Sequence, residues 1–201
     1  YNRGQLASVV EQAQILIKQY PQAFIIWNFL GAANKGLGQV EKASEAFKKV
    51  TELNPNYADG FNNLGATLSD HGKLKEAVEA YNKAISLRPN DATTYFNMGN
   101  ALQEQGNTNE AVKAYKKAIL LKPDYAKAYN NMGAAFRDQV KLEESLEAYK
   151  KALSIKYDFP EAHQNMSFNL LYSGRIKEGL DEYEWRFKAK KFRPNLRYFS
   201  H

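Results

Sequence analysis

The amino-acid sequence predicts an all-α protein, a solenoid of antiparallel helix pairs. Three observations carry that reading. Small, aromatic and proline positions recur at an interval of 34 residues. Between them, apolar side chains fall at helical spacing. Glycine and proline stand where hairpins of helices need turns and stops. Self-similarity at such a period marks stacked supersecondary units, each unable to bury its apolar face alone.

The pairs Leu30-Gly31, Leu64-Gly65, Met98-Gly99 and Met132-Gly133 set the register, and Met166-Ser167 continues it. Before each pair stands a large ring: Trp27, Phe61, Tyr95, Tyr129 and then His163. After it come a small residue (Ala43, Ala77, Ala111, Ser145, Gly179) and an aromatic (Phe47, Tyr81, Tyr115, Tyr149, Tyr183). Pro21, Pro55, Pro89 and Pro123 close the units.

In chain order, residues 1–23 carry Val9, Ala13, Leu16 and Pro21 at the places of a second helix only. The chain is therefore expected to begin inside a hairpin, as a piece of something longer. Complete units follow at 24–57, 58–91, 92–125 and 126–159, and a degenerate one at 160–193. In the unit 58–91 the spacing predicts helix A over about 58–70 and helix B over about 74–87, with Gly72 as the left-handed turn residue and Pro89 as the stop. Gly65 and Ala77 are small so that the two backbones can approach, with Phe61 and Tyr81 filling the space around them.

Three departures stand out. Val140 replaces the turn glycine found at Gly38, Gly72, Gly106 and Gly174, which predicts a differently shaped fourth turn. Tyr157 takes the place of the closing proline, with Pro160 just after it. Ser167 and Gly179 replace the usual glycine and alanine, making the joint between 126–159 and 160–193 the least well specified. The tail 194–201 is basic and aromatic.

The motif Trp27-x-x-Leu30-Gly31, followed by Ala43, Phe47 and Pro55, resembles the tetratricopeptide repeat, and the match runs over nearly the whole chain. The resemblance implies a right-handed superhelix whose concave wall is built from the A helices. It also implies that a protein or peptide partner lies against that wall. Facing the groove, the fifth position of the units reads Asn28, Asn62, Phe96, Asn130 and Gln164. The sixth reads Phe29, Asn63, Asn97, Asn131 and Asn165. Asparagine is a poor helix former, yet its amide both donates and accepts, so a ladder of amides can hold the backbone of an extended peptide. Flanking positions Phe96, Asn100, Lys127 and Arg137 would supply specificity. A similar ladder is a feature of the repeat region of O-linked N-acetylglucosamine transferases. The alternative is a solvated asparagine column inherited from a duplicated ancestor. The cationic clamp of repeat domains that bind heat-shock chaperone C-termini is absent, because the fifth and ninth positions read Asn28 and Ala32, Asn62 and Ala66, Phe96 and Asn100.

The stretch from Leu170 to Arg186 resembles the last repeat of bacterial proteins whose repeats precede a glycosyltransferase-like domain. The leading functional reading is thus a protein-interaction scaffold. The alternative is the substrate-recruiting arm of a larger glycosyltransferase-like enzyme with its catalytic domain outside this chain.

Composition limits the rest. The chain has no cysteine, which removes thiolate chemistry, disulfides and sulfur-rich metal sites. The net charge is +6, and Arg186, Lys188, Lys190, Lys191, Arg193 and Arg197 hold all of it; without them the basic residues fall to 22, equal to the acids. A nucleic-acid surface would spread its cations along a face, which argues against that partner. The rings and cations of the tail could stack on bases, meet an anionic membrane, pack inward as part of the last repeat, or adjoin something downstream. His71, His163 and His201 lack companions at ligand spacing, so neither metal nor cofactor is expected, and His163 reads as a packing ring. Glu143 and Glu144 sit at a helix start, where acids are favoured. No nucleophile has a base, so this segment is not expected to be an enzyme. Self-association is a further expectation, because the N-terminal half-unit would leave an apolar face uncovered. No apolar run reaches the roughly 18–20 residues of a membrane span. The chain opens at Tyr1 without a visible signal peptide, and its assignment to the cytoplasm is by default.

Overall fold

The protein is described here as a computed structural model, with backbone described for residues 3–192 and side chains for residues 3–185. Those residues form eleven helices. In chain order they are α1 (Arg3–Gln19), α2 (Phe24–Gly36), α3 (Val40–Leu53), α4 (Ala58–Asp70), α5 (Leu74–Leu87), α6 (Ala92–Glu104), α7 (Thr108–Leu121), α8 (Ala126–Asp138), α9 (Leu142–Ile155), α10 (Pro160–Tyr172) and α11 (Ile176–Phe192). None of the helices among the described residues is long and apolar enough to cross a membrane. The chain divides into two compact units, residues 1–107 and 108–201, each taken by itself below.

In the first unit, α2 pairs with α3 and α4 with α5 as antiparallel hairpins. The ring of Tyr81 lies directly on Gly65, so close that a Cβ there would stand 2.7 Å from a ring carbon. Phe47 covers Gly31 in the same way. The small residue on helix A is therefore required by the aromatic on helix B, which fills the crossing. Ala43, Phe47, Val50, Leu64, Leu68, Ala77, Tyr81 and Ala101 form one buried core running from hairpin to hairpin. At its N-terminal side Ala13 of α1 packs with Leu30 and Ala46, flanked by Val10, Ile17, Ile26 and Trp27.

The second unit repeats the scheme with α8/α9 and α10/α11. Tyr149 lies on Gly133. Leu146, Tyr149, Ala152, Leu153, Phe159, Ala162, Met166 and Leu170 share one core spanning 126–159 and 160–193. The joint expected to be least well specified is thus closed by a continuous apolar core. The exchange of small residues is compensated: the Ser167 hydroxyl, fully buried on α10, donates to the Gly179 carbonyl of α11 at 2.8 Å.

The turns correct one expectation. Gly38, Gly72, Gly106 and Gly174 have φ between 72° and 81°, and Val140 adopts φ 60°. Around Gly72 the amide bonds the Ser69 carbonyl at 2.9 Å, and the Lys73 amide bonds Leu68 at 2.9 Å. Around Val140 the same two bonds run to Arg137 at 2.8 Å and, from Lys141, to Phe136 at 2.9 Å. The fourth turn therefore has the shape of the others. The backbone bonds that close a helix in this motif hold a β-branched residue in the left-handed region, where glycine is at ease.

Candidate functional site

The A helices α2, α4 and α6 of the first unit and α8 and α10 of the second carry the asparagines. The stacking of consecutive hairpins brings the sixth position of one A helix beside the fifth position of the preceding one. Asn63 Nδ2 donates to Asn28 Oδ1 at 3.4 Å, and Asn97 Nδ2 donates to Asn62 Oδ1 at 3.3 Å. The Thr94 hydroxyl, whose one hydrogen goes to the capping Asp91, lies 3.3 Å from Asn62 Oδ1. In the second unit Asn165 Nδ2 donates to Asn130 Oδ1 at 3.0 Å, and Asn130 Nδ2 donates to Asn131 Oδ1 at 3.1 Å. The same sixth-to-fifth bond recurs in both units, as two separate pairs in the first and as a linked trio of Asn165, Asn130 and Asn131 in the second.

Most of these amides are half-buried, at the edge of the wall; Asn130 is buried at 7% exposure. Asn131 also meets the hydroxyl of the buried Tyr115. Burial pushes the Tyr115 hydroxyl pKa well above its ordinary range, and that of Tyr81 up to about 12. Both rings stay neutral at physiological pH.

In the first unit, Asn97 and Asn100 line an open hollow of about 610 Å³ together with Ala66 and Ala101. Lys35, Ser69, Asp70, Tyr81 and Glu104 complete it, and Lys35 Nζ pairs with Asp70 Oδ2 at 3.0 Å. Phe96 is half-buried at a fifth position, where an aromatic ring interrupts the asparagine column. In the second unit Arg137 is half-buried with its guanidinium 3.6 Å from Asp138, whereas Lys127 is exposed. The expected residues are therefore grouped as Asn28, Asn62, Asn63, Asn97 and Asn100 in one unit, and Asn130, Asn131 and Asn165 in the other.

Several wall residues were not singled out from sequence. Lys35, Asp70 and Glu104 line the hollow. Phe168 and Tyr172 stand on α10 with 46% and 74% exposure. The repeat register held the signal for the latter two. Phe168 falls in the column of Ala32, Ala66, Asn100 and Ala134, and Tyr172 in that of Gly36, Asp70, Glu104 and Asp138. His163 is more than a packing ring, for it stacks on Trp185 and touches Glu182. Side chains of the basic aromatic segment from Arg186 onward, Phe187 and the tail 194–201 included, lie outside the described residues. Among the described residues no group of three or more His, Asp or Glu could hold a metal ion.

Tetratricopeptide repeat models match residues 31–72, 67–106 and 99–140, and another matches 126–156. The chain belongs to the tetratricopeptide repeat family. No curated protein sequence matches it. Among solved structures, this tetratricopeptide repeat protein is similar to the MamA protein, with 25% identity and a TM-score of 0.77 over 89% of this chain and 97% of that one. PilW, described as a widely conserved type IV pilus biogenesis factor, gives a TM-score of 0.83 at 18% identity over 95% of this chain and 89% of that one. YrrB, described as a tetratricopeptide protein with an unusual peptide-binding site, gives 0.70 at 17% identity over 93% and 95%. These likenesses establish the solenoid fold of stacked helix pairs.

Proposed function

We propose that this chain is a non-catalytic scaffold whose A-helix walls hold an extended segment of a partner protein. The inter-repeat amide pairs carry the reading. Each pairing orients both side chains while using one hydrogen and one lone pair, which leaves part of the hydrogen-bonding capacity of the half-buried amides for a peptide unit. Side chains ordered in advance lose less entropy on binding than free ones. A merely solvated column would have no need of such pairing. The peptide-binding site named for YrrB supports the same use of the fold. In the first unit Phe96 and Asn100 would read a guest's side chains, with its backbone on Asn28, Asn62, Asn63 and Asn97; in the second, Lys127 and Arg137 would do so, with the backbone on Asn130, Asn131 and Asn165.

The test uses a peptide enriched from a random library on the immobilised chain. Each amide contact is worth about 0.5–1.5 kcal/mol net, so Asn97→Ala with Asn131→Ala should weaken that peptide by about tenfold, with the helical fold retained by circular dichroism although the bonds to Asn62 and Tyr115 are lost. Unchanged affinity of the double variant refutes the reading.

Two further readings rest on particular stretches. The likeness of Leu170–Arg186 to repeats that precede glycosyltransferase-like domains supports a recruiting arm; an open reading frame continuing past His201 with an α/β pattern is its expected sign. Self-association is supported by α1, where Leu16 is 41% exposed in a column that holds the fully buried Val50, and Ile15 is 58% exposed in the column of Lys49. A monomer in sedimentation at high concentration excludes it.

A further inference from the structure

In the last described hairpin, four residues depart from the repeat and meet. Tyr157 occupies the column of the closing prolines, and His163 that of Trp27, Phe61, Tyr95 and Tyr129. Glu182 falls in a column of alanines (Ala46, Ala80, Ala114, Ala148), and Trp185 in one of lysines (Lys49, Lys83, Lys117, Lys151). The His163 ring, 3% exposed, stacks on Trp185 with centroids 3.9 Å apart and planes inclined by 12°. Its Nδ1 lies 2.7 Å from Glu182 Oε2 and its Nε2 lies 2.9 Å from the Tyr157 carbonyl. The Tyr157 ring meets the imidazole edge-on at 5.4 Å.

A carbonyl oxygen and an ionised carboxylate only accept hydrogen bonds. A neutral imidazole has one N–H, so it can satisfy one of these partners and must turn a lone pair toward the other. We propose that this cluster is a proton-operated clasp. It is complete only when His163 and Glu182 together hold one proton more than a neutral imidazole and a carboxylate, and it fastens α10 to α11 and to the turn at Tyr157. A proton held on the ring gains a cation–π attraction from the stacked indole. Raising the pH removes the proton, breaks one of the two hydrogen bonds and loosens the clasp; lowering it restores both.

Among the described residues the ionisable groups around the ring are few. From α11 the Glu182 carboxylate faces it, and from the turn the Tyr157 ring. Lys156 at the end of α9 lies over the Phe159 ring at 5.1 Å, while Asp158 and Glu161 are solvent-exposed. A hollow of about 140 Å³ lined by Pro160, His163, Gln164, Glu182, Tyr183 and Trp185 gives water, and hence protons, a way in. The consequence reaches the A-helix wall, because α10 also carries Asn165.

The experiment uses the full chain with Trp27→Phe, so that Trp185 is the reporting indole; Phe61 stands in the same column, so a phenyl ring fits there. Nitrogen-15 NMR of the imidazoles should find both His163 nitrogens protonated at the acidic end of a titration over about pH 5–8. Trp185 emission, quenched by the stacked imidazolium, should rise with pH in one step coincident with loss of that proton. His163→Phe should abolish the step and keep the fold, since the column holds rings elsewhere. Glu182→Gln is the discriminating variant. A carboxamide can donate to an unprotonated Nδ1, so the neutral ring becomes acceptable on both sides and the step moves to lower pH. An emission flat across the range, a singly protonated ring at its acidic end, or a step unmoved by Glu182→Gln would each overturn the proposal.

Discussion

Val140 holds a conformation that the four equivalent turns give to glycine. For a residue with a Cβ, the left-handed region costs roughly 1–2 kcal/mol, and a β-branched side chain falls at the unfavourable end. Val140 is 67% exposed, so truncating it forfeits little burial. Glycine brings its own penalty of about 0.5–1 kcal/mol through the freer unfolded chain. The balance predicts that Val140→Gly stabilises the α8/α9 hairpin by about 0.5–1 kcal/mol. For a chain of this length that raises the melting temperature by about 1–4 °C. Stacked repeats can open piecemeal, so amide hydrogen exchange of α8 and α9 is the sharper assay, and protection should increase there first. The reciprocal change Gly72→Val should weaken α4/α5 by a comparable amount, because its turn makes the same two backbone bonds. A neutral or destabilising Val140→Gly, with Gly72→Val tolerated, would refute the strain argument.

Two further outcomes follow from the crossings. Gly65→Ala should destabilise by about 1–3 kcal/mol in urea unfolding, since its methyl would meet the Tyr81 ring at 2.7 Å; Gly65→Ala combined with Tyr81→Ala should cost less than the two single changes summed. The raised pKa of Tyr81, about 12 through burial, means that the folded chain keeps a proton which the unfolded chain releases near pH 10. Its stabilising effect is therefore whole below about pH 10 and disappears as pH rises toward 12; Tyr81→Phe should flatten the stability–pH curve in that window, read by denaturant midpoints.

The fold was legible because packing repeats itself. Gly65 and Tyr81 announce a helix crossing by their spacing alone, and the same spacing recurs at Gly133 and Tyr149, so helices α4 and α5 fall over the residues that the periodicity assigns. The wall was half legible. Asparagines at the fifth and sixth positions could be read from the register, but their bonding to each other could not, because it joins residues 35 apart across a stacking joint. Val140 misled for a local reason. A glycine column broken by valine reads as a new turn, whereas the hydrogen bonds of the helix end were strong enough to impose the old one. The meeting of His163 with Glu182 and Trp185 was hidden because each departure looks like decay when its column is read singly.

The Asn63–Asn28, Asn97–Asn62 and Asn165–Asn130 bonds on the A-helix walls each straddle the seam between one hairpin and the next. On the proposed reading, the groups offered to a guest are thus also rivets between neighbouring modules, and a seam that gapes takes its docking row with it. A guest laid along that row would act as a splint, resisting the fraying of the modules it bridges, and its grip would weaken wherever a seam is pried apart from behind.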